Sequence, residues 1–389
     1  MAKGRRTGSR GTRRRRTPPG EREYVEIADA FAAEAIADVD GTRHCEWVRH
    51  AAARYVRDRK RATRARAPFY FDAAIANDAC SFIEKLPHVE GTWETPEILL
   101  HESHVFFVVN VFGFRNRDGN RRFTTALLAI GRKNAKSLLA AAILLYCLCV
   151  EAEPGAQVIT AARTGSQARI VFNVAKKIVE NTPDLIEAFQ LEVYANAILS
   201  WQCSGHIKPI NAKASTQDGL NPSHVCLDEI HAHPSHDLLN VLKSAAGARA
   251  NPLWLYTTTE GYENPGPWPE LRHFAHQLLE GVVEADHFFA VIFALDEEKG
   301  KPGEPGYRPA DADFDSSKWI KANPLIEVNP VLRREIEKAA IEAKQMPGTL
   351  AEFRIKRLNR RSSVAVGWMN LTKWRACLDE PNLDALARV

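Results

Sequence analysis

The sequence lacks the cysteine pattern of a disulfide-bonded or zinc-binding protein. Its 389 residues include seven cysteines, an odd number, and no two of them have CxxC spacing. Neither a disulfide framework nor a zinc ribbon is therefore predicted, and free thiols fit a reducing compartment.

Long apolar segments are also absent. The longest apolar run, Leu138–Val150, has 13 residues. It is too short to span a bilayer and predicts a buried helix, so we expect no membrane association.

Acidic residues are absent from the first 20 positions, which contain eight lysines and arginines. A segment of this composition repels itself and buries no apolar surface, so residues 1–20 are predicted to be a disordered basic arm. Two interpretations of the arm stay open: a solvated tail, or a segment that neutralises nucleic-acid phosphates. No apolar stretch follows the arginines, and no secretory signal is predicted.

Residues 21–90 are predicted to form a helical N-terminal region. The segments EYVEIADAFAAEAIAD and CEWVRHAAARYVRDRKRA space their apolar residues at three and four positions, as amphipathic helices do. The second helix has a basic face, made of Arg49, Arg54, Arg57, Arg59, Lys60 and Arg61. This face is either solvated or a contact surface for DNA or for a protein partner.

Residues 91–300 alternate short apolar runs with helical stretches. The candidate strands are Phe123–Ile130, Gln157–Ala161, His224–Leu227, Leu253–Thr257 and Phe288–Leu295, and the candidate helices are Ser137–Val150 and Ser166–Glu180. This alternation predicts an α/β domain with a mostly parallel sheet flanked by helices. The Gly- and Pro-rich segment 300–316 predicts a linker. Helices near Pro330–Lys344 and Thr349–Arg361 make 301–389 the linker and the helical C-terminal part.

The stretch LLAIGRKNAKSLLAAAILL, residues 127–145, has the context of a phosphate-binding loop. A strand is followed by a small polar turn, and Lys136 and Ser137 then begin a helix, whose free N–H groups suit phosphate. The GxxxxGK[ST] pattern requires glycines where this chain has Ile130 and Ala135. Alanine is a mild replacement only if the turn needs no positive φ. The alternative interpretation is a basic loop without a ligand.

Two further strand ends favour the nucleotide interpretation. SHVCLDEIHAH, residues 223–233, is an apolar strand that ends in Asp228 and Glu229, where an Asp holds Mg²⁺ and a Glu polarises water in nucleotide hydrolases. The next strand ends in the hydroxyl cluster Thr257–Thr259, which can sense a γ-phosphate. Ligands of open α/β sheets bind at such carboxyl ends. His231, His233 and His236 have no second ligand cluster at matching spacing, so we expect them to shape the loop and to bind no metal.

Several segments in this order resemble the large subunit of tailed-phage terminases, most closely its HK97-like branch. They are the box ending in RKNAKS, the blocks DGLNPSHVCLDEIHAH and YTTTEG, and the later segments WIKANPLI and FRIKRLNRRSSVAVGWMNLTKWRAC. The resemblance implies a P-loop NTPase fold of the ASCE type.

The resemblance also implies roles for individual residues. The nucleotide would contact Gly131, Arg132, Lys133, Asn134, Ala135, Lys136 and Ser137. Arg132 would lie near the γ-phosphate, Ser137 and Asp228 would bind Mg²⁺, and Glu229 would activate water. Thr257, Thr258 and Thr259 would couple hydrolysis to movement. His104 lies near the position of the glutamine with which the family reads adenine.

The function that the resemblance implies is ATP-driven translocation of double-stranded viral DNA into procapsids in the host cytoplasm. The expected partners are double-stranded DNA, the terminase small subunit, the portal protein and further copies of the chain in a ring. Family members carry an RNase H-like nuclease after the motor, and we expect this sequence to lack it, with endonuclease activity only in a longer protein. Two alternatives remain open: a helicase-like DNA-dependent ATPase, and a nonenzymatic DNA-binding scaffold with a degenerate nucleotide loop.

Overall fold

A computed structural model describes residues 22–91, 93, 95–211, 220–247, 249–262 and 265–362. The predicted basic arm, residues 1–20, and the segment GWMNLTKWRAC lie outside the described residues. The chain enters the structure through two helices, α1 (Tyr24–Ala37) and α2 (Glu46–Ala62), as their apolar spacing predicts. A short strand β1 (Phe69–Phe71) follows, and then α3 (Ala73–Glu84), which the Asp72 carboxylate caps by accepting from the Ile75 N–H.

The next helix, α4 (Glu102–Gly113), leads into the central part of the fold. Its sequence ESHVFFVVNVFG is apolar on nearly all sides, and every residue from Ser103 onward is buried. A helix of this kind belongs inside a fold. Strand β2 (Phe114–Asn116) then pairs antiparallel with β1.

An eight-stranded sheet forms the centre of the molecule. Its strands are β3 (Thr125–Ala129), β4 (Gln157–Ala162), β5 (Leu191–Val193), β6 (Ile198–Ser200), β7 (Gly205–Asn211), β8 (His224–Asp228), β9 (Leu253–Thr258) and β10 (Phe288–Ile292). They lie in the order β10-β3-β9-β8-β4-β7-β6-β5. All pairs from β10 to β7 are parallel, and β6 and β5 extend the sheet antiparallel at one edge. The mostly parallel α/β fold is thus confirmed, although β5, β6 and β7 were not predicted.

Helices connect the strands. They are α5 (Lys136–Tyr146), α6 (Gly165–Glu180), α7 (Pro183–Phe189), α8 (Asp237–Ala245) and α9 (Pro267–Glu280). The predicted helix Ser137–Val150 is wrong at its end, because residues Cys147–Glu151 form a π-helical turn. The carboxylate of Glu151 at this turn is paired with two buried guanidinium groups, those of Arg115 and Arg121. Among the described residues, no helix combines the length and apolarity needed to cross a bilayer.

The N-terminal helices share one hydrophobic core with the sheet. Buried residues form a continuous cluster from Tyr24 to Ala294. Helix α2 contacts β10 and α9, and α3 contacts α5. The basic face of α2 is therefore partly internal: Arg54 is buried and donates to the Phe288 and Ala285 carbonyls at 2.7 and 3.0 Å. Arg54 is therefore neither solvated nor part of a contact surface for DNA or a protein partner, because its guanidinium group joins α2 to the sheet.

A second, smaller hydrophobic core follows β10. It contains Leu295, Trp319, Ala322, Leu325, Ile326, Leu332, Ile336, Ala340, Ala343, Phe353 and Leu358. The elements that build it are three short 3₁₀ turns (Trp319–Lys321, Pro324–Glu327 and Pro347–Thr349) and the helices α10 (Pro330–Gln345) and α11 (Leu350–Arg357). Helix α11 ends four residues before the predicted limit at Arg361. We call residues 313–358 the C-terminal segment.

Candidate nucleotide-binding site

The strand order brings the three predicted motifs to one edge of the sheet. Strand β9 lies between β3 and β8, with Ala129 opposite Thr258 and Asp228 opposite Thr257. The turn after β3, the threonines that end β9 and the acidic pair that ends β8 are therefore neighbours. Strand β9 therefore separates the strand that precedes the turn from the strand that ends in the acidic pair.

The turn after β3 has a backbone conformation that favours glycine. Lys133 and Ala135 have φ values of 69° and 57°, and Ala135 is the residue immediately before α5. The turn does need a positive φ at Ala135, so alanine is not a mild replacement for glycine here. A left-handed conformation costs a non-glycine residue about 1–2 kcal/mol. Half-buried Ala135 packs against the second core. This apolar contact offsets part of the strain.

The ammonium group of Lys136 lies against the backbone of the turn that precedes α5. The side chain is buried, and Nζ donates to the Ile130 carbonyl at 3.1 Å and approaches the Gly131 carbonyl at 3.5 Å. Burial lowers the pKa of Lys136, while the negative charges of Glu229 and Asp228 oppose that effect. Ser137 follows it in the first turn of α5, where helical N–H groups have no intrahelical acceptor. The site therefore offers an ammonium group and free N–H groups to an anion.

Asp228 has the environment of a cation ligand. Its carboxylate is buried and accepts a hydrogen bond of 2.7 Å from the Thr257 hydroxyl. Burial raises its pKa, and the adjacent charge of Glu229 raises it further. No lysine or arginine within the described residues forms an ion pair with Asp228. Carboxylate and hydroxyl oxygens are the ligands that Mg²⁺ prefers, so Asp228 and Ser137 fit this ion chemically.

Glu229 is held in a strained backbone position. Its φ is 52°, and its N–H donates to the Thr257 carbonyl at 2.8 Å. Burial alone would raise the pKa of Glu229, but His231, Lys136 and Arg132 together lower it to about 2. The carboxylate is therefore ionised near neutral pH, as a water-polarising group needs to be. Strained residues of this kind persist where the surrounding structure fixes them.

The threonine cluster is buried beside the acidic pair. The Thr258 hydroxyl donates to the Thr259 carbonyl at 2.7 Å and lies 2.9 Å from Nδ1 of His231. The Thr259 hydroxyl is buried and has no hydrogen-bond partner within the described residues. A free hydroxyl at this edge is available to a phosphate or a water molecule.

Glu260, which the sequence reasoning missed, fixes the end of the threonine strand. Its carboxylate accepts from the Trp268 indole N–H at 2.6 Å, and its own N–H donates to the Asn359 side chain at 2.5 Å. Burial raises the pKa of Glu260. The sequence around TTTEGY gives no sign of this role, because Asn359 is 99 residues away and no local pattern pairs Glu260 with Trp268.

His104 lies in α4, against the back of the turn. The side chain is buried, and its Nε2 atom has no hydrogen-bond partner among the described residues. Burial and the neighbouring His101 lower its pKa to about 3, against a smaller opposite effect of the Asn134 backbone. A neutral imidazole is thus close to the turn, and adenine recognition by His104 stays a prediction.

The expectation that His231, His233 and His236 bind no metal stays a prediction. The group with metal-ligand spacing in the described part of the chain is Cys147, Glu151 and His224, whose ligand atoms lie within 4.8 Å of one another. His224 is the first residue of β8 and Asp228 is the last, so this group lies at the opposite end of the strand from Asp228. Ion pairs with Arg121 and Arg115 already balance the charge of Glu151.

The chain is similar to phage terminases. Residues 102–277 match the family model described as the terminase large subunit, ATPase domain. The large terminase subunit of Enterobacteria phage HK97 is 27% identical over 260 residues, which is 66% of this chain and 48% of the relative. Protein YmfN of Escherichia coli K12 is 31% identical over 172 residues, or 44% of this chain and 35% of the relative.

The fold is similar to that of a solved terminase. The crystal structure of the HK97 bacteriophage large terminase matches with a TM-score of 0.61 and 25% identity, over 78% of this chain and 58% of that chain. The present chain spans about half or less of the length of the curated relatives that it matches.

Proposed function

We propose that the chain hydrolyses ATP to move double-stranded DNA into viral procapsids, because residues 102–277 match the family model of the terminase large-subunit ATPase domain. The observation that carries this proposal is the convergence of Lys136, Asp228 and Glu229 on one sheet edge. The mutual effects of these three charges on their pKa values reflect their proximity. If these three charges only stabilised the fold, they would not need the N-terminus of α5 and the unpaired Thr259 hydroxyl beside them.

Each group has a separate chemical task in hydrolysis. Lys136 leaves the Ile130 carbonyl and binds the β- and γ-phosphates, and the N–H groups at the beginning of α5 bind the same phosphates. Ser137 and Asp228 would hold Mg²⁺, which would supply positive charge against the phosphates. Glu229 accepts a proton from the attacking water. Arg132, half-buried in the turn, stabilises charge on the γ-phosphate.

The Thr257–Thr259 cluster links the chemistry to movement. Thr257 contacts Asp228, and Thr258 contacts His231, which in turn contacts Glu229. Through these contacts, a change in the charge at the γ-phosphate position would reach the end of β9. We propose that His104, behind the turn, is the residue nearest the adenine of ATP.

The DNA contacts are proposed to be phosphate contacts. Arg57, Lys60, Arg64 and Arg66 are exposed near the end of α2, and none of them forms an ion pair within the described residues. Packaging has to tolerate any sequence, and backbone contacts carry no sequence information. We name these four residues the α2 basic patch.

The assembly is proposed to be a ring of several copies at the portal vertex, in contact with the portal protein and the terminase small subunit. A single subunit has to release the DNA before it can bind it again, so another subunit has to hold the DNA during that step. The phage origin of the HK97 relative supports the host cytoplasm as the location.

The experiment is steady-state phosphate release from ATP, with and without duplex DNA. Replacing Glu229 by Gln keeps the shape and removes the base, so turnover should fall by about 10²–10⁴-fold while ATP binding persists. Glu180→Gln, on the exposed face of α6, is the matched control and should turn over ATP at the parent rate. Full turnover in Glu229→Gln would reject the assigned role, and no turnover in the parent chain would favour the scaffold alternative.

A further inference from the structure

The phosphate-binding turn and the C-terminal segment are joined through their backbones. The Gly131 N–H donates to the Ala322 carbonyl at 3.0 Å, and the Arg132 N–H donates to the Lys356 carbonyl at 2.8 Å. A Cβ atom on Gly131 would lie 2.9 Å from the Ala322 carbonyl and 2.5 Å from the Asn323 side-chain oxygen. The first half of the turn therefore rests on a surface that the C-terminal segment supplies.

Two asparagine amides complete this contact. The Asn134 amide donates to the Asn323 Oδ1 atom at 2.9 Å and to the Gly131 carbonyl at 3.0 Å. Its own oxygen accepts from the Leu325 N–H at 3.3 Å. The Asn323 amide donates to the Arg357 carbonyl at 2.6 Å, and both asparagine side chains are fully buried. In a buried network of this kind, losing one member leaves its partners without hydrogen bonds.

Apolar packing joins the turn to the C-terminal segment as well. The apolar side chains of the segment, together with Leu295, form the second core, which is distinct from the core of the sheet. Ala135 packs against this second core from the turn. The turn therefore meets the segment through backbone hydrogen bonds, buried amides and an apolar side chain.

We propose that Asn323 is a positioning residue of the nucleotide site. Its amide holds Asn134, and through Asn134 it fixes the turn in its phosphate-binding conformation. The inference rests on the proposed binding of ATP at residues 131–137.

The test measures binding of ATPγS with Mg²⁺ by calorimetry, together with thermal unfolding, on the full chain. Asn323→Ala should raise the dissociation constant about tenfold, the effect of losing a buried hydrogen bond. Asn329→Ala is the matched control, because Asn329 caps α10 in the same segment by accepting from the Leu332 N–H at 3.0 Å. It should lower the unfolding temperature and leave the dissociation constant within about twofold, because a cap acts on its own helix.

A double-mutant cycle with Asn134→Ala separates positioning from general destabilisation. The double variant should lose less affinity than the sum of the losses in Asn134→Ala and Asn323→Ala, because both single variants remove the shared hydrogen bond between the two amides. Unchanged affinity in Asn323→Ala, additive losses in the double variant, or equal losses in Asn329→Ala would each overturn the inference. If the parent chain binds no nucleotide, the proposed function fails, whereas binding that ignores Asn323 defeats this inference alone.

Discussion

The Nδ1 atom of His231 lies 3.1 Å from the Oε2 atom of Glu229. The same nitrogen lies 2.9 Å from the Thr258 hydroxyl. One imidazole therefore contacts both the proposed catalytic base and the proposed coupling cluster. Sequence reasoning assigned His231 only to the shape of the loop, because nothing in DEIHAH indicates which way its side chain turns.

Replacing His231 by Ala should reduce kcat with little effect on KM. Without the imidazole, the Glu229 carboxylate loses the contact that orients it, and a misplaced base costs about tenfold or more in rate. Steady-state phosphate release over a range of ATP concentrations measures both constants. His231→Asn keeps a hydrogen-bonding group near the same position and should recover part of kcat. An unchanged kcat in His231→Ala would contradict the positioning role.

Position 135 should accept glycine and reject a β-branched residue. Glycine removes the strain of the left-handed backbone, whereas valine adds a branched Cβ at a φ of 57°. We expect Ala135→Gly to bind ATPγS at least as tightly as the parent chain, and Ala135→Val to lose binding by about tenfold or more. Calorimetry measures both affinities, and Ala53→Val on the exposed side of α2 is the control for added volume. Equal binding by all three variants would show that the turn geometry does not matter.

Replacing Asp228 by Asn should stabilise the metal-free protein and abolish hydrolysis. The amide oxygen still accepts the Thr257 hydrogen bond, and the substitution removes a buried charge beside Glu229. Because burial raises the pKa of Asp228 above its ordinary value of 3.8, its ionised form lowers stability at neutral pH. This penalty is full above the raised pKa and disappears as the pH falls below 3.8.

The measurement is thermal unfolding in EDTA at several pH values. The Asn variant should unfold about 1–3 °C higher than the parent at pH 7, and the two curves should converge in acid. A lower unfolding temperature for Asp228→Asn at pH 7 would mean that the carboxylate stabilises the fold.

Reversing charge in the α2 basic patch should weaken DNA binding at every sequence. Each phosphate contact that is lost reduces the salt dependence, with a slope of about 0.9 per contact. Arg64→Glu and Lys60→Glu should therefore bind a labelled duplex less tightly and with a shallower salt dependence. Lys338→Glu, an exposed residue of α10, is the control of equal charge change. A loss that is the same for the control would indicate an effect of net charge only.

The sequence predicted the elements that carry the site because their signals are local. Strands β3, β8 and β9 are short, mostly apolar runs, a pattern typical of buried parallel strands. Strands β8 and β9 end in polar residues, and a polar turn follows β3. The parallel pairing then places their ends together without further information. Strands β5 and β6 have three residues each, too few for a periodic signal, so the antiparallel edge was missed.

The contacts that fix the turn could not be predicted, because they join distant parts of the chain. Asn134 and Asn323 are separated by 189 residues, and no local pattern connects them. The φ of Ala135 likewise depends on the tertiary fold. The motif KANP in WIKANPLI was visible only as part of a resemblance, whereas the structure assigns its asparagine a hydrogen-bond partner.

A crystal structure with Mg²⁺ and ATPγS would show whether the turn binds a nucleotide. We expect the triphosphate in the 131–137 turn, with Lys136 Nζ moved from the Ile130 carbonyl to the phosphates. We also expect Mg²⁺ between the Ser137 hydroxyl and the Asp228 carboxylate. A structure with nucleotide bound elsewhere, or with Lys136 still on the Ile130 carbonyl and both carboxylates turned away, would contradict this expectation.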